Sequence, residues 1–73
     1  MRHAFLRADR LRRERELAGM RQQDLADKIG VDRSAVACWE RGVRQPGSAR
    51  FAALCDALNL NPADLLNQTE SAA

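Results

Sequence analysis

Between Met20 and Gly42 the chain reads MRQQDLADKIGVDRSAVACWERG, a pattern that admits few folds. Leu25, Ala26 and Ile29 fall at i, i+1 and i+4, on one face of a helix. Gly30 follows the last apolar residue, where a helix stop needs a backbone that tolerates positive φ. Val31 is an apolar link, and Asp32 is a good N-cap for a second helix. On that helix Val36, Trp39 and Glu40 share a face, and Gly42 stops it. The other face carries Arg33, Ser34, Ala37 and Cys38, small or polar residues that begin at the helix N-terminus. A helix with such a thin, hydrogen-bond-capable outer side fits the major groove of DNA.

Two charges fall on apolar faces. Glu40 lies with Val36 and Trp39. In the preceding helix the inward series is Phe5, Ala8, Leu11, Arg15, Ala18, at steps of three or four, so Arg15 also points inward. A lone charge facing a core is costly, whereas a hydrogen-bonded ion pair is tolerated. Either both side chains reach separately to water at the core edge, or they meet. The pair is the economical solution, and it would clamp the first helix to the end of the third.

With 73 residues the chain makes one domain. A chain this short buries only roughly 60% of its unfolded surface, so its stability margin is thin. The 45% hydrophobic fraction is ordinary for a globular domain. Tyr is absent and Gly and Pro are few, which favours helices over sheets. The net charge of +2 says little, but its distribution says more. Residues 1–44 carry 11 Arg/Lys against 7 Asp/Glu, and residues 45–73 carry 1 against 3. That asymmetry fits a polyanion on one face, although arginines also serve simply to solvate helices.

Cys38 and Cys55 are too few for a disulfide scaffold and are not spaced as a metal site. Cys55 falls in an apolar series, and Cys38 on the exposed face has no resolving cysteine nearby in sequence. No apolar run is long enough for a signal peptide or a membrane span, and the expected compartment is a reducing cytoplasm. His3 is the only histidine, and no carboxylate pair, nucleophile with a base or phosphate-cradling glycine loop is present. The chain is therefore not expected to be an enzyme or to need a cofactor or metal.

Periodicity and caps predict five helices, over about 3–18, 22–29, 33–41, 48–58 and 62–67. Leu6 and Leu17 lie at the edges of the first stripe. Exposed pairs Asp9–Arg13 and Arg12–Glu16 have the i, i+4 spacing of helix ion pairs. Arg21 stands where a Ser, Thr or Asn cap is usual, so the second helix has a poor N-cap, with amides and Gln22 free to meet a phosphate. Ser48 is the expected cap of the fourth helix, whose stripe is Phe51, Leu54, Cys55, Leu58. Asn59 can end that helix in a left-handed conformation. Asn61-Pro62-Ala63-Asp64 starts the fifth helix, which carries Leu65 and Leu66. The domain is expected to span residues 1–67, with 68–73 a short flexible tail.

The residues Arg15, Gly19-Met20, Gln22, Leu25-Ala26, Gly30-Val31, Val36, Trp39-Glu40-Arg41-Gly42, Pro46, Leu54, Leu58 and Leu65-Leu66 together resemble the lambda-repressor and Cro-like helix-turn-helix family. The resemblance runs from about residue 6 to 67. It implies an all-α, compact five-helix DNA-binding domain acting as a transcriptional regulator. By matching positions, Arg33, Ser34, Ala37 and Cys38 would face base edges. Arg21, Gln22, Arg41 and Arg44 would lie on the DNA backbone, and Arg15 and Glu40 match the family's buried ion pair. Arg21 and Ser48 depart from the usual residue types. Ala37 and Cys38 are poor hydrogen bonders, which leaves Arg33 as the best candidate for a guanine contact; the bland alternative for it is a phosphate contact without base specificity.

The expected partner is double-stranded DNA, bound by a homodimer that acts as a repressor. The dimer surface would involve Leu60 and Leu66. Members of the family also occur as antitoxins or adaptors whose main contact is a toxin or another protein. The basic outer face around Arg21, Arg33, Arg41 and Arg44 favours DNA over that alternative.

Overall fold

The computed structural model describes residues 4–68, with side chains described for 6–66. Among these described residues five helices follow one another as α1 (Ala8–Leu17), α2 (Gln22–Ile29), α3 (Arg33–Glu40), α4 (Ser48–Leu58) and α5 (Pro62–Leu65). They are flanked by two three-residue strands, β1 (Ala4–Leu6) and β2 (Leu66–Gln68), paired antiparallel with Leu6 opposite Leu66. The architecture is all-α, a five-helix arrangement to which the strands add a small terminal ribbon.

One core serves all five helices. Leu11, Leu25, Ala26, Val36, Leu54 and Leu65 are fully buried, joined by Leu6, Trp39, Cys55 and Leu58. Each helix contributes from one stripe, as the 3.6-residue period requires. Burial raises the pKa of the Cys55 thiol above its usual value, as befits a packed cysteine. Asn59 ends α4 at φ 59°, ψ 45°, and Leu60 N–H then bonds back to the Cys55 carbonyl at 2.9 Å. Asn61 precedes Pro62 at the start of α5, with the Asp64 carboxylate accepting the Asn61 backbone N–H at 3.0 Å.

Several local expectations need correction. The first helix starts at Ala8, not near residue 3, because residues 4–6 pair with 66–68 and Arg7 N–H donates to the Leu65 carbonyl at 2.7 Å. The fifth helix correspondingly ends at Leu65 instead of running to 67. Leu6 is buried, whereas Leu17 stays 75% exposed. Gly47, not Ser48, occupies the N-cap position of α4. Asp9 pairs with Arg7 at 3.2 Å instead of Arg13, and the shorter i, i+4 pair of α1 is Arg10–Glu14 at 2.8 Å. Arg12–Glu16 is present at 3.2 Å. The side chain of Phe5 and residues 69–73, which hold most of the expected tail, lie outside the described residues.

Candidate nucleic-acid interface

The α2–α3 corner sets the site. Gly30 takes φ 77°, ψ 37°, a left-handed conformation, and Val31 N–H closes the end of α2 onto the Ala26 carbonyl at 3.0 Å. A methyl group added at Gly30 would meet nothing within 4 Å, so the cost of a side chain there is conformational only. Gly30→Ala is expected to lower stability by about 1 kcal/mol. Chemical denaturation checks this; an unchanged midpoint would show that the corner tolerates an ordinary residue.

Trp39 and Val36 bury the inner side of α3, with Trp39 6% exposed. The outer side is open to solvent to different degrees. Arg33 and Ser34 are exposed, and Ala37 and Cys38 are half-buried. Ser34 and Cys38 line an open groove of about 360 Å³ together with Arg44, Gln45 and Pro46 of the α3–α4 loop. The four residues assigned to base edges therefore lie on one side of one helix. Arg44 is exposed and lines the same groove as Ser34 and Cys38. Arg41 is exposed just past the helix, its guanidinium 3.7 Å from the Cys38 sulfur.

Arg15 and Glu40 meet. Arg15 Nε donates to Glu40 Oε2 at 2.6 Å and Nη2 donates to Oε1 at 3.0 Å, a two-pronged contact between α1 and α3. Arg15 Nη1 also donates to the Met20 carbonyl at 2.7 Å, which fixes the α1–α2 link. The side chains are 9% and 3% exposed. The hydrogen bond to Glu40 raises the Arg15 pKa, against the opposing effect of burial.

Gln22 ties this pair to the outer face, a connection that spacing did not reveal. Its Nε2 donates to Glu40 Oε1 at 3.1 Å, and its Oε1 accepts from Arg33 Nη1 at 3.3 Å. One amide group thus spans the buried carboxylate and the exposed arginine that begins α3. One amide hydrogen remains for another acceptor.

Arg21 differs from expectation. The Asp24 carboxylate reaches back to the Arg21 backbone N–H at 2.8 Å, so α2 is capped from within its first turn. The Arg21 guanidinium grips the same carboxylate at 3.1 and 2.9 Å. These bonds hold the Asp24 carboxyl at about 2, below its ordinary value. Arg21 is exposed but carries its own counter-charge, whereas Arg41 and Arg44 have no carboxylate partner among the described residues.

Arg50 is not among the residues that the sequence pattern singles out. It lies in the first turn of α4, exposed, and lines the hollow beside Gly30, Asp32 and Trp39. No local signal separates it from a solvating arginine. Only the packing of α4 against α2 brings it near the corner.

A family model described as helix-turn-helix matches residues 11–65. Among solved structures, the restriction-modification controller protein C.AhdI from Aeromonas hydrophila is 37% identical, with a TM-score of 0.74 over 78% of this chain and 86% of that one. The P22 c2 repressor protein, in complex with a synthetic operator, is 33% identical, with a TM-score of 0.74 over 75% of this chain and 83% of that one. The clp gene regulator ClgR from Corynebacterium glutamicum is 30% identical, with a TM-score of 0.74 over 78% of this chain and 61% of that one. A comparison with curated proteins gave no match.

Proposed function

This chain belongs to the lambda-repressor-like helix-turn-helix family, and we propose on that premise that it is a sequence-specific regulator of transcription that binds double-stranded DNA. The observation that carries the reading is the outer side of α3, where Ser34, Ala37 and Cys38 form a strip of small side chains accompanied by exposed Arg33, Arg41 and Arg44. Such a surface fits the width of a major groove and meets phosphates at its rims.

In this reading α3 enters the major groove. Arg33 donates two hydrogen bonds to a guanine O6 and N7, Ser34 reaches a neighbouring base, and Ala37 and Cys38 approach closely enough to touch a thymine methyl. Gln22, Arg41 and Arg44 hold the DNA backbone. Arg21 joins them by exchanging Asp24 for a phosphate. The chain acts in the cytoplasm as a homodimer and represses by occupying a promoter. Leu60 and Leu66, both half-buried in the single chain, contribute to the dimer surface. Two copies would then read half-sites about 34 Å apart on one face of the duplex.

Selection of bound duplexes from a random pool, followed by a salt titration on the recovered site, tests this. The expected site is palindromic, and log affinity falls linearly with log salt at about 0.9 per phosphate neutralised. No retained duplex, or binding indifferent to salt, would sink the reading and favour a protein partner instead.

A further inference from the structure

The loop that carries Arg44 has little burial of its own: Val43, Arg44, Gln45 and Gly47 are all exposed. Its first half hangs on the end of α3, where Val43 N–H donates to the Cys38 carbonyl at 3.0 Å and Gly42 N–H to that of Trp39 at 3.2 Å. Its second half has a different anchor. The Gln45 side-chain oxygen accepts the Leu6 backbone N–H at 2.8 Å, across 39 residues of sequence. Leu6 is itself firmly held. It is 4% exposed, sits in the core and lies opposite Leu66 in the terminal ribbon. The ribbon is thus a fixed post, and Gln45 ties the loop to it.

We propose that Gln45 is a positioning residue for the DNA-backbone contact at Arg44. It holds the α3–α4 loop against the terminal ribbon, so that Arg44 is kept at the groove it lines with Ser34 and Cys38 before DNA arrives. This rests on the DNA-binding reading given above. Gln45 acts here through its acceptor oxygen, which receives the Leu6 N–H. With the tie cut, the loop must be ordered during binding. Immobilising one rotamer-rich side chain on association lowers affinity by about two- to tenfold.

A double-mutant cycle on the selected duplex tests the proposal. Gln45→Met keeps the length of the side chain and removes the acceptor. It is expected to weaken binding about two- to tenfold and to speed amide exchange at Leu6, while the melting temperature falls by only about 4–8 °C, the cost of one part-buried hydrogen bond. Gln45→Asn, one carbon too short to reach Leu6, gives the same loss. In an Arg44→Ala background neither substitution has a further effect on affinity, because the group being positioned is gone. Equal losses in both backgrounds would show that Gln45 acts independently of Arg44, and no loss at all would show that the loop needs no tie; either overturns the proposal while leaving the regulator reading intact. Failure of the unsubstituted chain to bind any duplex would instead sink that reading, and the proposal with it.

Discussion

Glu40→Ala is expected to destabilise the domain by about 3–5 kcal/mol, the usual cost of breaking a buried ion pair from one side. The substitution leaves Arg15 buried, with the Met20 carbonyl as its remaining close acceptor, and takes from Gln22 Nε2 the oxygen it bonds. For a chain of this size the loss corresponds to a fall in melting temperature of well over 10 °C. The double replacement Arg15→Met with Glu40→Leu should recover most of the loss, since an apolar pair of similar volume is often neutral or better. Thermal unfolding of the two variants checks the claim. A melting temperature that hardly moves in Glu40→Ala would mean that Arg15 relaxes to water at little cost.

The pair also has consequences at the outer face of α3. Gln22 sits between Glu40 and Arg33, so removal of the carboxylate frees the amide that Arg33 leans on. The refolded double variant separates the two roles: stability returns, while Gln22 still lacks its Glu40 acceptor. A duplex selection on that variant then reads the contribution of the Gln22 anchor alone.

Arg33→Ala is expected to cost about 1–3 kcal/mol of discrimination at one base pair and to relax preference there while leaving the rest of the site intact. Arg33 is exposed, and its one described bond, 3.3 Å to Gln22, engages a single donor of the guanidinium. The other donors are available for a guanine edge. A weaker but equally selective variant in a randomised-site selection would make Arg33 a phosphate contact. Because Arg33 lies on the surface and closes no buried network by itself, its loss should leave the melting temperature near that of the parent chain.

Much of the architecture was legible along the chain because its signals are local. Gly30, Asn59 and the Asn61-Pro62 start each depend on a few consecutive residues, and the bounds of α2 follow directly from them. Arg15 and Glu40 were legible as a pair for a different reason. Each is a charge on an otherwise apolar stripe, and two such exceptions of opposite sign can share one solution. The capping of α2 differs from expectation because the residue before the helix, Arg21, has no capping oxygen, and the useful oxygen comes from Asp24 inside it.

The sequence by itself therefore determined the helices, the corner between α2 and α3, and the narrow polar side that α3 turns outward. These follow from backbone geometry and side-chain period, which act over a few residues. Tertiary structure alone decided that residues 4–6 leave the helical stripe to pair with 66–68, that Gln22 bridges Glu40 and Arg33, and that Gln45 ties the Arg44 loop to Leu6. Each of those is a hydrogen bond between groups brought together only when the core closes, and no periodicity along the chain encodes a partner of that kind.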